Sequence, residues 1–279
     1  MTRTGPEADA EVRGALRKMD ARPAAPVLYE LPVGDRKLPI SSWLGGVVRL
    51  TFEGEISCIH CGRAMRKSFA QGYCYPCFRR LARCDACIVK PEQCHFAAGT
   101  CREPDWGEAN CMLPHTVYLA NSSSLKVGIT RGLDPIRRWI DQGATQGLAI
   151  LRVPTRRDSG LVEVALKRHV SDRTDWRRML RGEAEPLDLP AERDRLLPLV
   201  PESEPDAWRL AERVEDARTA EVAYPVLEYP KKITSHNLDK NPVLEGTLLG
   251  IKGQYLILDT AVINVRKYAG YVVRVRGGG

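Results

Sequence analysis

All nine cysteines of this 279-residue chain fall between Cys58 and Cys111, and that crowding constrains the fold more than any other feature. A disulfide framework spreads its cysteines and needs an oxidising compartment. A tight cluster reads instead as sets of metal ligands. The opening stretch MTRTGPEADAEVRGALRKMD lacks the apolar segment of a signal peptide, and no apolar run approaches the ~18 residues of a membrane span. The sequence therefore argues against membrane and secreted classes, and a cytoplasmic, metal-binding protein is expected.

Cys58-Ile-His-Cys61 and Cys74-Tyr-Pro-Cys77 form two CxxC pairs with twelve residues between them. Each pair turns two thiolates toward one ion, and two pairs complete a closed tetrahedral Zn²⁺ site. Gly62 follows the first pair and Gly72 precedes the second, where tight knuckles need a permissive backbone. His60 reads as a spacer, because four thiolates already fill the site. The second group is less regular: Cys84-Asp-Ala-Cys87, Cys94-His95, Cys101 and Cys111, with His115 just beyond. Cys84, Cys87, Cys101 and Cys111 are the expected ligands of a second structural Zn²⁺, with Cys94 able to displace either of the last two. An iron–sulfur cluster is the alternative, since it too takes cysteine ligands.

The net charge of +7 is unevenly spread. Residues 126–181 hold 13 basic and 6 acidic side chains, equal to the whole surplus, whereas residues 183–218 hold 5 and 11. A basic segment beside a metal module predicts a polyanion partner, nucleic acid first, DNA or RNA alike. Lys67, Arg79, Arg80 and Arg83 are further candidates for phosphate contact. Pro186, Pro190, Pro198, Pro201 and Pro205 break the acidic stretch. It reads as a spacer with one helix expected from Asp206 to about Arg218.

The flanks are β-rich, after a short helix expected near the N-terminus. VLYEL and WLGGVVRLTFEGEI read as strands, as do VLEGTLLGIKGQYLILD, AVINVRKY and YVVRVR at the other end. Gly250 and Gly253 suggest a bulge or tight bend. Aromatic residues are only 6% of the chain, so the core should lean on Leu, Val, Ile and Ala. Because both ends have strand character, they are expected to pair into one sheet with the other modules inserted between them.

Between the cysteines and the acidic stretch, TVYLA and LKVGIT predict two strands joined by the turn Asn121 to Ser124. Asp134-Pro135 predicts the start of a helix carrying Arg137, Arg138, Trp139 and Gln142. LAILRVP predicts a third strand, and Ser159 is the expected cap of a helix GLVEVALKRHV that contains Glu163.

These residues resemble the GIY-YIG endonuclease superfamily. Thr116-Val117-Tyr118 falls at its first motif and Lys126-Val127-Gly128 at its second, in the variant form Lys-Ile-Gly. Its helix arginine falls at Arg138 or Arg137, and its metal-binding glutamate at Glu163. Gln142 occupies the slot where many members have His or Tyr, and Asp175 lies near the place of a terminal asparagine. The wider string, from the cysteines through RWIDQGA to DRTDWRRML, also looks like a domain-of-unknown-function family, number 2797. The first resemblance implies phosphodiester hydrolysis. In that chemistry Glu163 holds a Mg²⁺ or Mn²⁺ that keeps most of its waters, and Arg138 pairs with a phosphate oxygen as charge builds. Tyr118 positions or deprotonates water if neighbouring cations lower its pKa, and Lys126 assists.

The expected organisation is a mixed α+β protein in five parts: a β-rich region at 1–57, a cysteine module at 58–111, a GIY-YIG-like small antiparallel sheet with helices at 112–182, an acidic spacer at 183–218 and a second β-rich region at 219–279. The expected function is that of a zinc-containing nucleic-acid-binding protein, with divalent-metal-dependent endonuclease activity as its sharper form. A non-catalytic zinc adaptor for RNA, a ribosome or a protein is the rival.

Overall fold

A computed structural model describes residues 11–170 and 175–278. It is a mixed α+β fold with several antiparallel sheets. The chain divides into two compact units, one built from residues up to 78 and from 223 onward, the other from residues 79–222.

The first unit begins with β1 (Val12–Ala15), β2 (Asp20–Arg22), β3 (Leu28–Val33) and β4 (Arg36–Leu38), followed by the long β5 (Val47–Ser57) and the short β6 (Ala64–Met65). The N-terminal helix expected from sequence falls partly outside the described residues, and from Val12 the chain is already a strand. Helix α1 (Tyr75–Arg80) follows. The chain then builds the second unit, described below, before it returns.

The second unit contains α2 (Pro104–Cys111), β7 (His115–Asn121), β8 (Leu125–Arg131), α3 (Ile136–Asp141), β9 (Gln146–Val153), α4 (Arg156–Lys167) and α5 (Trp176–Leu180). Then come α6 (Leu189–Leu196), α7 (Val200–Ser203), α8 (Pro205–Arg209), β10 (Glu212–Arg213) and β11 (Ala220–Glu221). Strand β7 lies between β8 and β9, and β10 and β11 both add to the outer edge of β9. Side chains alternate across β7, as strand geometry requires. Val117 and Leu119 join one core with Val162 and Leu166 of α4. Tyr118 and Ala120 join another with Trp139 of α3.

Three boundaries differ from the sequence expectation. Helix α3 starts at Ile136, although Asp134 still caps it, its Oδ1 accepting the Ile136 N–H at 3.0 Å. Helix α4 starts three residues before Ser159, because Thr155 accepts the Asp158 N–H at 3.2 Å and donates to the Asp158 carboxylate at 2.6 Å. The spacing is that of a capping box, but the acid accepts from the Thr155 hydroxyl and not from its backbone N–H. The long helix expected from Asp206 ends at Arg209, because the residues beyond it pair with β9. The acidic stretch is also more than a tether: Leu189, Leu196, Leu197, Val200 and Ala207 complete the core under the sheet.

On its return the chain forms β12 (Val243–Lys252), β13 (Tyr255–Leu258), β14 (Val262–Asn264) and β15 (Tyr271–Gly277). Strand β5 lies between β12 and β15, so Leu50 faces Leu244 on one side and Val275 on the other. The two β-rich ends thus share one sheet, and the register shift expected near Gly250 occurs between Leu248 and Gly250. Glu53 on β5 ties it to the two strands on one side, accepting from Arg13 Nε of β1 at 2.6 Å and Arg274 Nε of β15 at 2.5 Å.

Lys252 is fully buried at the end of β12. Among the described residues its ammonium has no hydrogen-bond acceptor, and it lies 5.4 Å and 5.2 Å from the ring centroids of Tyr224 and Tyr229. Burial pushes its pKa down from 10.5 to about 8. Between pH 8 and 10.5 the folded state therefore binds fewer protons than the unfolded one, so stability rises with pH across that window. Lys252→Met should remove this slope and raise stability at pH 7 by up to about 3 kcal/mol, as measured by denaturant unfolding at a series of pH values.

Candidate functional site

The first cysteine group is assembled by strand β5, its hairpin partner β6 and helix α1. Ile56 and Ser57 pair with Met65 and Ala64, which folds the first knuckle back on itself. Within it the Gly62 N–H donates to the Cys58 carbonyl at 2.9 Å. Gly62 and Gly72 take positive φ values of 73° and 128°, the conformations for which glycine was expected. Cys77 rides on the first turn of α1. One ligand atom from each of Cys58, Cys61, Cys74 and Cys77 lies within 4.8 Å of all the others, and Cys61 Sγ stands 3.7 Å from Cys74 Sγ. Cys61 alone of the four is exposed.

The thiols are unequal. Burial pushes Cys58 up, but hydrogen bonds from the backbone at Cys61, Cys74 and His60 outweigh it and bring the thiol down to about 6. Burial, with the neighbouring thiols, pushes Cys77 up to about 12. A cation in their midst is the natural counter-charge for four such sulfurs. The group is positioned to bind a metal ion.

In the second unit, Tyr118 is fully buried and faces Gly128 across the β7–β8 pair. A Cβ at Gly128 would stand 2.5 Å from the phenol oxygen, so this position must be glycine for the ring to lie where it does. The hydroxyl donates to Gln142 Oε1 at 3.1 Å, and Trp139 meets the ring edge-on with centroids 6.0 Å apart. A register shift of β9 occurs beside it, between Val117 and Tyr118. Burial raises the Tyr118 pKa, while Arg138 and Gln142 act against the rise and Glu163 adds to it. The net direction is opposite to the one a neutral-pH general base needs.

Tyr118, Arg138, Gln142 and Glu163 therefore converge on one electrostatic neighbourhood. Arg138 is the half-buried arginine of α3, while Arg137 is exposed. Glu163 is largely buried on α4 and lies 3.5 Å from Lys167 one turn on. Lys126 is half-buried on β8, two residues before Gly128 and so on the same strand face. Asp175 caps α5, accepting the N–H groups of Arg177 and Arg178 at 2.9 Å and 3.2 Å.

The second cysteine group gathers around a small cavity. Cys87, Cys94, Cys101 and Cys111 line a common cavity, and buried Cys84 is not part of its wall. Cys84 forms the end of a 3-10 turn begun at Ala82. Sequence reasoning also missed Arg156, a largely buried cation between the cysteines and Glu163. The capping-box spacing at Thr155 was the signal that would have placed it on the first turn of α4.

Fold and cysteine group together define a class: a mixed α+β protein with a tetra-cysteine group placed to hold a metal ion. A family model described as Protein of unknown function (DUF2797) matches residues 45–273, most of the chain, and the chain belongs to that family. No curated protein and no solved structure matches it. Among the described residues no helix is long and apolar enough to cross a membrane.

The Tyr118–Gly128 contact has a direct test. Gly128→Ala forces the phenol off its seat and should cost about 1–3 kcal/mol by overpacking. Tyr118→Phe keeps the packing, losing only the hydroxyl's contacts with Gln142 and Arg138, and should cost about 1 kcal/mol. Chemical denaturation of both variants should return that order.

Proposed function

We propose that this chain is a zinc-containing nucleic-acid-binding protein whose second unit, GIY-YIG-like in its motifs, engages the phosphate backbone. A structural Zn²⁺ fits the first cysteine group. Tetrahedral Zn–S bonds of about 2.3 Å require sulfurs about 3.8 Å apart, beside the 3.7 Å between Cys61 and Cys74.

The observation that carries the nucleic-acid reading is a set of exposed cations left without counter-charge. Arg137, Arg152, Arg157 and Arg168 are exposed, and among the described residues none has a carboxylate within ion-pair distance. In the acidic stretch the opposite holds: Arg193, Arg195, Arg209 and Arg213 are each paired with Asp194, Glu192, Asp206 and Asp194 respectively. Free guanidinium groups gathered on one unit suit phosphates, which bind by neutralising charge and releasing counter-ions.

Phosphodiester cleavage is the sharper form of this reading. Glu163 is the candidate ligand for Mg²⁺ or Mn²⁺, which when bound supplies Lewis acidity and an activated water. Arg138 is placed to offset charge developing on phosphate. Tyr118, with its raised pKa, supports Gln142 and Arg138 instead of taking a proton. A non-catalytic role is the same scaffold without the glutamate's metal.

Binding to labelled single- and double-stranded DNA and RNA should weaken steeply with salt. Replacing Arg137, Arg157 and Arg168 together by alanine should flatten the logarithmic salt slope by about one unit per arginine engaged. A salt-independent interaction would favour a protein-binding adaptor. With Mg²⁺ or Mn²⁺ present, cleavage by the wild type should drop about 100-fold or more in Glu163→Gln while binding persists. Binding by both proteins with cleavage by neither would leave a holding function alone.

A further inference from the structure

The second cysteine group offers more than its irregular spacing suggests. Cys87, Cys94, Cys101 and Cys111 surround a cavity of about 10 Å³, room for a single ion or water. Helix α2 comes close enough to close it only because residue 107 is glycine. A Cβ there would stand 2.9 Å from Cys101 Sγ and from the Phe96 ring.

The surrounding charge is the second observation. Arg156 is largely buried, its Nε has no hydrogen-bond partner, and its terminal nitrogen donates to the Ile88 carbonyl at 2.7 Å. No carboxylate lies within ion-pair distance of it among the described residues. Cys111 and Cys87 act on it more strongly than Glu163, the one carboxylate that also does so, and Arg131 also acts on Cys111. Were the four thiols neutral, Glu163, outside ion-pair distance, would be left to balance a buried guanidinium, which is costly. Four thiolates around a Zn²⁺ or an iron–sulfur cluster leave a net negative centre, and that balance is then met.

Asp85 and His95 also approach Cys87, but both are engaged. Asp85 pairs with Arg102 at 2.6 Å and His95 at 3.5 Å, and His95 Nδ1 lies 2.8 Å from the Thr100 hydroxyl. They brace the loop that carries the thiols. That loop in turn seats on α4: a Cβ at Gly160 would stand 2.6 Å from the Pro91 side chain, in the turn between Cys87 and Cys94.

We propose that Cys87, Cys94, Cys101 and Cys111 hold a second thiophilic metal centre, with Arg156 as its counter-charge, and that this centre fixes the first turns of α4. Cys84 is not a ligand. The proposal is independent of the nucleic-acid reading, because its readout is bound metal.

The test is zinc, iron and acid-labile sulfide per chain in full-length protein purified without oxygen. Wild type should carry metal beyond the one equivalent held by the first group, either a second zinc or iron with matching sulfide and visible absorbance. Cys94→Ser should lose this second centre and keep the first, while Cys84→Ser keeps both. Arg156→Gln should surrender the second metal to a chelator about tenfold more readily, with the first unchanged. A measurement on wild type guards against misfolded variants: half-exposed Cys94 and Cys101 should resist iodoacetamide until the metal is chelated. A single metal equivalent in wild type would overturn the proposal. So would loss of the second centre in Cys84→Ser but not Cys94→Ser, or free labelling of Cys94 and Cys101 in the loaded protein.

Discussion

Pairing on both sides of strand Val47–Ser57 is the constraint on which the rest of the first unit rests. Leu50 meets Leu244 and Val275 across this strand, so chain separated by almost two hundred residues is brought into one sheet. The entropy of closing such a loop grows only slowly with its length, about 0.6 kcal/mol per doubling. A whole unit with its own core can therefore sit between the partners at little further cost. The first cysteine pair grows directly from the end of the same strand, through the pairing of Ile56 and Ser57 with β6. The sheet thus positions two of the four thiols.

Three buried polar groups are accommodated in three different ways, and the differences are informative. Tyr118 keeps its hydroxyl satisfied through Gln142 at 3.1 Å, so its burial is compatible with a structural and positioning role. Lys252 has two aromatic faces near it, which soften its desolvation without replacing lost hydration. Arg156 has a single backbone acceptor and thiols for neighbours. Only the last environment changes its charge with what it holds, and for that reason it points to a ligand.

Much of this was legible in the sequence where local chemistry decides. The paired CxxC spacing located the first metal group, and the alternation in TVYLA and LKVGIT located β7 and β8, whose register sets Tyr118 against Gly128. Asp134 was correctly read as a cap. Failures came where a distant partner decides. Residues after Arg209 have helical composition, yet the open edge of β9 draws them into strand pairing. The prolines at 186–205 read as breaks in a tether, but Leu189, Leu196 and Val200 are needed to cover the sheet.

The central strand has a further consequence during synthesis. At roughly 5–20 residues per second on the ribosome, Leu50 emerges about 10–40 seconds before Leu244, the residue that will face it. Apart from its last two residues, which pair with β6, this strand has both edges open throughout that interval, while the second unit, complete by residue 222, is free to fold first. The nascent chain therefore carries an exposed sheet edge for most of its translation, and it is at this stage that a chaperone, or early metal capture by the adjoining thiols, protects it most.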